Sequence, residues 1–247
     1  MEPLVTIITP TTGNKQLYQA VLSVEQQTYK NIQHLVVIDG PDGARSAHSI
    51  LEGSQADIIE LPYATGKDQY NGHRIYGAMT FVAKGDYIVF LDEDNWFEPN
   101  HIESLVEQIK SGNKWAYALR KIVSQDGEYI CNDDCESLGK WTSIINDKFI
   151  DLNCFMISKA IALQFAPYWY RRARHPDDQP EVDRLLSYFL MGNTSMSSGV
   201  KFDTNGLYTV NYRVAARADS VQDVFFIKGN EAMKLKMNGE YPWRKKT

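Results

Sequence analysis

Three consecutive acids, Asp92, Glu93 and Asp94, directly follow an apolar run at residues 87–91. Carboxylates crowded at one strand end repel each other and resist desolvation, and a divalent cation compensates for both effects. Mg²⁺ and Mn²⁺ take oxygen ligands, and Mg²⁺ commonly combines one or two protein carboxylates with substrate phosphates. These residues therefore predict a cation site that holds a phosphate-bearing ligand.

The alternative interpretation of the three acids is a solvated turn or the N-cap of the next helix. Asn100 is the better cap, because apolar residues at 102, 105, 106 and 109 follow it at helical spacing. The acids are therefore not needed as a cap, and the cation site is the favoured interpretation.

Composition bounds the class of protein. The 247 residues are 43% hydrophobic, 23% charged and 12% aromatic, which is typical of one globular domain with a large core. A net charge of −5 argues against a dedicated nucleic-acid binder. No run is long and apolar enough to span a membrane, and the three cysteines favour a reducing, cytoplasmic location.

A zinc site at Cys131 and Cys135 would need two more ligands, and only Cys154 offers a third.

The first half of the chain alternates strands and helices. Apolar β-rich runs at 4–9, 34–38, 58–61, 86–91 and 115–123 predict strands, and helical spacing marks helices near 17–24, 75–82 and after Asn100. This order predicts an α/β fold, with a Rossmann-like, mostly parallel sheet and helices on both faces. The second half predicts a smaller mixed region, with a hairpin after 123, helices at 159–165 and 182–190, and a strand at 207–214.

Polar groups follow three of the predicted strands at their carboxyl ends. They are the segment at 9–12, Asp39, and the acids at 92–94. Ligands of open parallel sheets bind outside these strand ends, so we expect the three groups along one edge. The chain has neither the glycine fingerprint of dinucleotide-binding dehydrogenases nor a P-loop.

Four segments together resemble the family 2 glycosyltransferases, which have the GT-A fold. They are residues 5–11 (VTIITPT), residues 23–29 (SVEQQTY) with 34–40 (HLVVIDG), residues 85–95 (GDYIVFLDEDN), and the Glu-Pro pair at 98–99. The third segment contains the Asp-x-Asp motif of that family. The resemblance is good over the first 110 residues or so and looser beyond them.

The resemblance implies an inverting, metal-dependent enzyme that uses a nucleotide-diphosphate sugar, with UDP-sugars favoured. It implies that Asp39 binds the nucleotide base and that the segment Thr9, Pro10 and Thr11 approaches the nucleoside. The alternatives are that Asp39 only forms the turn before Gly40 and that Thr9 and Thr11 are ordinary strand-end threonines. Asp94 matches the metal-binding aspartate and Asp92 the other acid of the motif, with Mn²⁺ or Mg²⁺ as the cation. Glu93 faces either the ribose or solvent.

Two further assignments rest on looser matches. Arg74 lies near the family's Ala-Arg-Asn-x-Gly segment, where a guanidinium would pair with diphosphate or orient an acid, or is simply a surface arginine. Asp183, at the start of a predicted helix, is the candidate base for the acceptor hydroxyl, with rivals at Asp177, Asp178 and Glu181. The acceptor is expected to be a saccharide of a surface glycan.

The resemblance also divides the chain. Residues 1–112 would form the nucleotide-sugar-binding half and 113–227 the acceptor-binding half of the same domain. Residues 228–247 would form a C-terminal tail, whose net charge is +4 by residue count. With Phe225, Phe226 and Trp243, this tail is either a solvated segment or a peripheral contact at the inner face of the membrane.

Two other classes of protein remain open at this point. A nucleotidyltransferase also uses acids and Mg²⁺ on a parallel sheet, but its usual glycine-rich first loop with Arg and Lys is absent from residues 9–13. A non-catalytic carbohydrate-binding protein with the same fold is the second alternative.

Overall fold

The structure is a computed structural model that describes residues 2–67, 70–171, 182–192, 200–215 and 221–245, with the backbone alone at position 183. In chain order its main elements are β1 (Val5–Thr11), α1 (Leu17–Glu25), β2 (Ile32–Ile38), α2 (Ala44–Ile50), β3 (Asp57–Glu60), α3 (His73–Val82), β4 (Tyr87–Phe90), β5 (Trp96–Phe97), α4 (His101–Lys110), β6 (Trp115–Val123), β7 (Tyr129–Asn132), β8 (Phe155–Ser158), α5 (Lys159–Phe165), α6 (Val182–Met191), β9 (Phe202–Arg213) and α7 (Asp223–Lys236).

The described strands form one sheet in the order β3-β2-β1-β4-β8-β6-β9-β5, with β7 paired to β6. The strands β1, β2, β3, β4, β6 and β9 run in one direction, and β5, β7 and β8 run against them. The predicted α/β fold with a mostly parallel sheet is thereby confirmed.

Alternate residues of β2 pack into different layers, which explains why helices cover both faces of the sheet. Val36 and Ile38 join a small cluster with α1 and α2, whereas Leu35 and Val37 join the main core, which includes α3. Successive side chains of a strand point to opposite faces, so a strand buried on both faces reads as a continuous apolar run.

Some elements carried too little sequence signal to be predicted. β8 has four residues, Phe-Met-Ile-Ser, yet it lies between β4 and β6 and pairs antiparallel with both. An apolar run that short does not distinguish strand from helix. Helices α2 and α7 and strand β5 were likewise not predicted.

The C-terminal segment packs against the domain. Phe226 on α7 and Trp243 are buried in the core, so these two rings are not available to a membrane surface. The Trp243 indole N–H donates to the Asp134 carboxylate at 2.7 Å, and Arg244 forms an ion pair with the same acid. Within the described ranges, no helix combines the length and apolar character that crossing a bilayer would require.

Candidate active site

Asp39 and the three acids lie on either side of the end of β1. The strand order β2-β1-β4 makes β1 the neighbour of both strands that carry them. The Asp39 amide donates to the Thr11 carbonyl at 2.8 Å, and the Leu91 amide donates to the Ile8 carbonyl at 3.0 Å. All three strands are parallel, so these groups share one carboxyl-terminal edge, as predicted.

The side chains of the predicted nucleoside-facing segment of β1 are buried. Thr9 and Thr11 are 0% and 1% exposed, because β1 is a central strand covered on both faces. The Thr9 hydroxyl pairs with the His34 ring at 2.9 Å, and the Thr11 hydroxyl donates to Glu93. Pro10 is buried as well. These side chains therefore serve the sheet, and only the backbone of the segment remains a candidate for contact with a nucleoside.

Glu93 is not turned toward solvent, which corrects one of the two orientations expected for it. It is 6% exposed and accepts hydrogen bonds from the hydroxyls of Thr11 and Thr12 at 2.5 and 2.8 Å. The backbone amides of Thr12 and Asn14 donate to the same carboxylate at 3.2 Å. Glu93 therefore ties the loop after β1 to the acidic segment.

Asp92 points away from Glu93 and is held from two directions. Its Oδ1 accepts from the Tyr76 hydroxyl at 2.6 Å, and its Oδ2 accepts from the Asn153 side-chain amide at 2.8 Å. Burial raises the pKa of Tyr76, and the Asp92 charge adds to this effect, so the phenol stays protonated and donates. No local sequence pattern around Asp92 indicates these two partners.

Asp94 is half-buried and lies in the turn after β4, where the Asn95 amide donates to the Asp92 carbonyl at 3.1 Å. Arg213 fixes the backbone here, because its Nε donates to the Asp94 carbonyl at 2.9 Å. The Arg213 amide also donates to the Asn95 side chain at 2.9 Å. The charges of both aspartates raise the pKa of Tyr76, so both lie near its hydroxyl, whereas Glu93 is buried against the loop after β1.

A divalent cation fits this pair of aspartates. The described residues contain no group of three or more His, Cys, Asp or Glu side chains that could hold a metal by themselves. Two half-buried carboxylates in one turn instead match the partial oxygen shell that Mg²⁺ takes when phosphate supplies the remaining ligands. The three cysteines, in contrast, are free thiols, and burial raises the pKa of Cys135 and Cys154.

A short loop caps the Asp39 carboxylate. Oδ1 accepts from the amide and hydroxyl of Thr65 at 2.6 and 2.8 Å, and Oδ2 accepts from the Gly66 amide at 2.9 Å. Gly66 is required for this approach, because a Cβ there would lie 2.9 Å from Asp39 Oδ2 and 2.7 Å from the Asn71 carbonyl.

Arg74 supports that loop from helix α3. Its Nη1 donates to the Thr65 carbonyl at 2.8 Å, and its guanidinium lies 3.7 Å from the centre of the Tyr70 ring. Arg74 also lines a cleft of about 340 Å³ between the loop, α3 and Tyr170. The structure thus brings Arg74 beside Thr65, the residue that caps Asp39.

The predicted acceptor side is described only in part. Asp183 lies in the first turn of α6, and its rivals Asp177, Asp178 and Glu181 lie outside the described residues. Helix α6 contacts the segment that precedes the short 3₁₀ helix Leu152–Cys154. The Ser187 hydroxyl of α6 donates to the Ile150 carbonyl at 3.2 Å.

Arg120, which the sequence did not single out, lies beneath this region at 2% exposure. Its guanidinium donates to three buried carboxylates at 2.6–2.8 Å, those of Asp133, Glu136 and Asp151. Asp151 accepts in turn from the Asn153 side chain at 2.9 Å. A continuous polar network therefore links Arg120 with Asp92.

Comparison with protein families gives one match over more than half of the chain. The sequence model of the family described as "Glycosyl transferase family 2" matches residues 6–169. This range contains Asp39, Arg74 and the acids at 92–94.

Curated relatives are similar over a shorter part. An uncharacterized glycosyltransferase of Rickettsia bellii is 29% identical over 134 residues, which cover 52% of this chain and 19% of that protein. Glycosyltransferase GlyG of Streptococcus pneumoniae is 29% identical over 115 residues, which cover 44% of this chain and 36% of that protein. The chain thus matches well under half the length of these relatives.

Solved structures share the fold. S. aureus TarS 1–349 in complex with UDP has a TM-score of 0.61 at 14% identity, covering 85% of this chain and 60% of that one. The same protein in complex with UDP-GlcNAc has a TM-score of 0.62 at 13% identity, covering 95% and 66%. The similarity confirms the predicted GT-A fold.

Proposed function

The chain belongs to glycosyl transferase family 2, and we propose that it transfers a sugar from a nucleotide-diphosphate donor to a hydroxyl acceptor. The observation that carries the proposal is the meeting of Asp39 with Asp92 and Asp94 across the end of β1. Asp39 follows β2 and the other two follow β4, so they are two strand spacings apart, about 10 Å. That separation leaves room for a ribose between a base-binding acid and diphosphate-binding acids.

The capping of Asp39 supports a uridine donor. A carboxylate has about four acceptor positions, and Thr65 and Gly66 use three of them. The remaining position, on Oδ2, suits the single imide N–H of uracil or thymine. Guanine offers two adjacent N–H donors on its corresponding edge, and one of them would find no acceptor. The UDP and UDP-GlcNAc complexes of TarS agree with this preference.

At the other end of the donor, Asp94 and Asp92 would hold Mn²⁺ or Mg²⁺. When bound, the cation would neutralise the diphosphate and so stabilise the leaving group. The chain's own contribution is to orient the two carboxylates through the contacts of Tyr76, Asn153 and Arg213. Glu93 and Arg74 contribute by fixing the loops over β1 and over Asp39.

On the acceptor side, we assign proton removal to Asp183 at the start of α6, with Asp177, Asp178 and Glu181 as the alternative bases. A positioned general base contributes roughly 10²–10⁴-fold. Attack from the face opposite the leaving group gives inversion at the anomeric carbon without a covalent sugar–enzyme intermediate. The acceptor we propose is a saccharide hydroxyl of a surface glycan.

A panel of UDP-, GDP- and dTDP-sugars, each with and without Mn²⁺, tests these assignments. We expect UDP-sugars with Mn²⁺ to raise the melting temperature most, and the same donors to be hydrolysed slowly to UDP without an acceptor. Release of pyrophosphate from a nucleoside triphosphate and a sugar phosphate would instead identify a nucleotidyltransferase. Binding without turnover across a wide set of acceptors would identify a non-catalytic protein.

A further inference from the structure

Two residues from distant parts of the chain hold the two oxygens of the Asp92 carboxylate. Tyr76 on α3 donates to Oδ1 at 2.6 Å, and Asn153 donates to Oδ2 at 2.8 Å. Each oxygen accepts one such bond, so the contacts of the described residues leave one acceptor position on each. Asp92 is half-buried rather than enclosed, so these free positions are available at the sheet edge.

The contacts of Asn153 allow only one orientation of its side-chain amide. The Nδ2 group donates to Asp92 Oδ2 at 2.8 Å and to Asp151 Oδ1 at 2.9 Å, and both acceptors are carboxylates. The Oδ1 atom accepts from the Asp92 backbone amide at 2.7 Å. In the flipped orientation, the amide oxygen would face two carboxylates and the NH₂ group would face the Asp92 backbone N–H. Neither arrangement forms a hydrogen bond, so the chemistry of the partners fixes the assignment.

Both supporting residues rest on rigid surroundings. Asn153 is 1% exposed and bound to Asp151, which forms an ion pair with the buried Arg120 at 2.6 Å. The Tyr76 ring is 1% exposed and packs against Phe90 and Trp169, with ring centres 5.0 and 5.6 Å away. A carboxylate held by two immobile donors loses little freedom when it binds a ligand.

We propose that Tyr76 and Asn153 are positioning residues that orient the Asp92 carboxylate toward the cation of the donor complex. The inference rests on the proposed function, because it assumes that Asp92 meets a cation bound to diphosphate. Outer-shell partners of this kind typically account for 10–100-fold in metal affinity or activity.

Tyr76→Phe is the sharpest test, because it removes one hydroxyl and keeps the packed ring. We expect the affinity for UDP in the presence of Mn²⁺, measured by calorimetry, to fall about 10-fold. The affinity for UDP in excess chelator should stay within twofold of that of the unaltered protein. If the hydroxyl has only a structural role, its removal would lower the UDP affinities with Mn²⁺ and with chelator by the same factor, or would change neither.

Tyr117→Phe is the matched control. Tyr117 is 0% exposed, and its hydroxyl contacts only the backbone groups of Leu138 and Lys140. We expect this variant to keep the full Mn²⁺-dependent gain in UDP affinity. A loss equal to that of Tyr76→Phe would overturn the inference.

Asn153→Ala provides a second, independent variant, and we expect it to lose the Mn²⁺-dependent gain in the same way. If both variants bind UDP with Mn²⁺ as tightly as the unaltered protein, the positioning role is refuted although the proposed function stands. If Mn²⁺ gives the unaltered protein no gain in UDP affinity, the cation site itself is refuted, and the inference with it. The response of the unaltered protein to Mn²⁺ thus shows whether the proposed cation site or only the positioning role has failed.

Discussion

Glu93 accepts a 2.5 Å hydrogen bond from the hydroxyl of Thr11, a residue 82 positions earlier in the chain. The same carboxylate accepts from the Thr12 hydroxyl and from two backbone amides of the loop. The middle acid of the motif therefore differs in task from its two neighbours. It closes the loop after β1 against the segment that carries Asp92 and Asp94.

Replacing Glu93 with glutamine should destabilise the fold. The new NH₂ group would face hydroxyl and amide donors in place of an acceptor oxygen, and hydrogen bonds to a charged group contribute about 1.5–3 kcal/mol each. We expect Glu93→Gln to lower the free energy of unfolding by about 2 kcal/mol in urea titrations. Glu103→Gln is the control, because Glu103 is exposed and its one recorded hydrogen bond within the described part of the chain is from the Thr28 hydroxyl. Equal losses in both variants would contradict the role of Glu93.

Replacing Asp94 with alanine should abolish metal-dependent donor turnover while the fold survives. Removing a residue that only hydrogen-bonds to a metal ligand already lowers metal affinity or activity by up to about 100-fold. Removing the ligand itself should therefore lower kcat/KM by more than that. Asp57→Ala is the control, because Asp57 is an exposed acid at the amino end of β3, the opposite edge of the sheet. Full turnover by Asp94→Ala, or by the unaltered protein in excess chelator, would refute the metal role.

The parts of the site that could be predicted are those set by local pattern. Runs such as VTIITPT and YIVF reveal buried strands, and a parallel sheet gathers the residues after such strands at one edge. Asp39, Asp92 and Asp94 were found in this way, before any contact was known.

The partners of these acids could not be predicted, because they come from distant positions. Asn153 is 61 residues from Asp92, and no spacing rule connects a residue after one strand with a residue before another. The surroundings of Thr9 could not be predicted for a different reason. A polar residue at a strand end is predicted to contact a ligand. Whether the Thr9 hydroxyl faces a cleft or the His34 ring depends on how the sheet is covered on each face, which the local sequence does not show.

Gly43 should be needed for the loop after β1, although its backbone conformation is open to any residue. Its φ is −97°, but a Cβ there would lie 1.8 Å from the Thr12 carbonyl oxygen. We expect Gly43→Ala to displace the loop, lowering both the melting temperature and the affinity for UDP measured by calorimetry.

Gly53→Ala is the control, because Gly53 has a φ of +80° but no atom lies within 4 Å of the added Cβ. It should lose about 1–2 kcal/mol of stability through backbone strain and no UDP affinity. An unchanged UDP affinity in Gly43→Ala would contradict the role of the close approach.

Removing the charge of Arg120 should destabilise the domain strongly at neutral pH. Arg120→Met leaves the carboxylates of Asp133, Glu136 and Asp151 buried without their shared cation. Breaking a buried ion pair by removing one partner typically costs 3–5 kcal/mol, and we expect a loss of about that size in urea unfolding at pH 7. Arg184→Met should cost less, because Arg184 is partly exposed and touches only Glu136 of this group.

The pH dependence of that loss is the sharper test. In the unaltered protein, burial favours protonation of Asp133, but Arg120 and the Glu136 amide hold the pKa of this acid below its usual value. Its contribution to stability is therefore present at neutral pH and is lost as the pH falls through its folded pKa. Without Arg120, the pKa of Asp133 would rise, although its backbone amide donors would remain, and burial would raise the pKa of Asp151 further than it already does. The folded variant would then bind more protons than the unfolded chain and gain stability as the pH falls from 7 to 5. The difference between Arg120→Met and the unaltered protein should shrink over that range, and a constant difference would refute the charge-based account of the cluster.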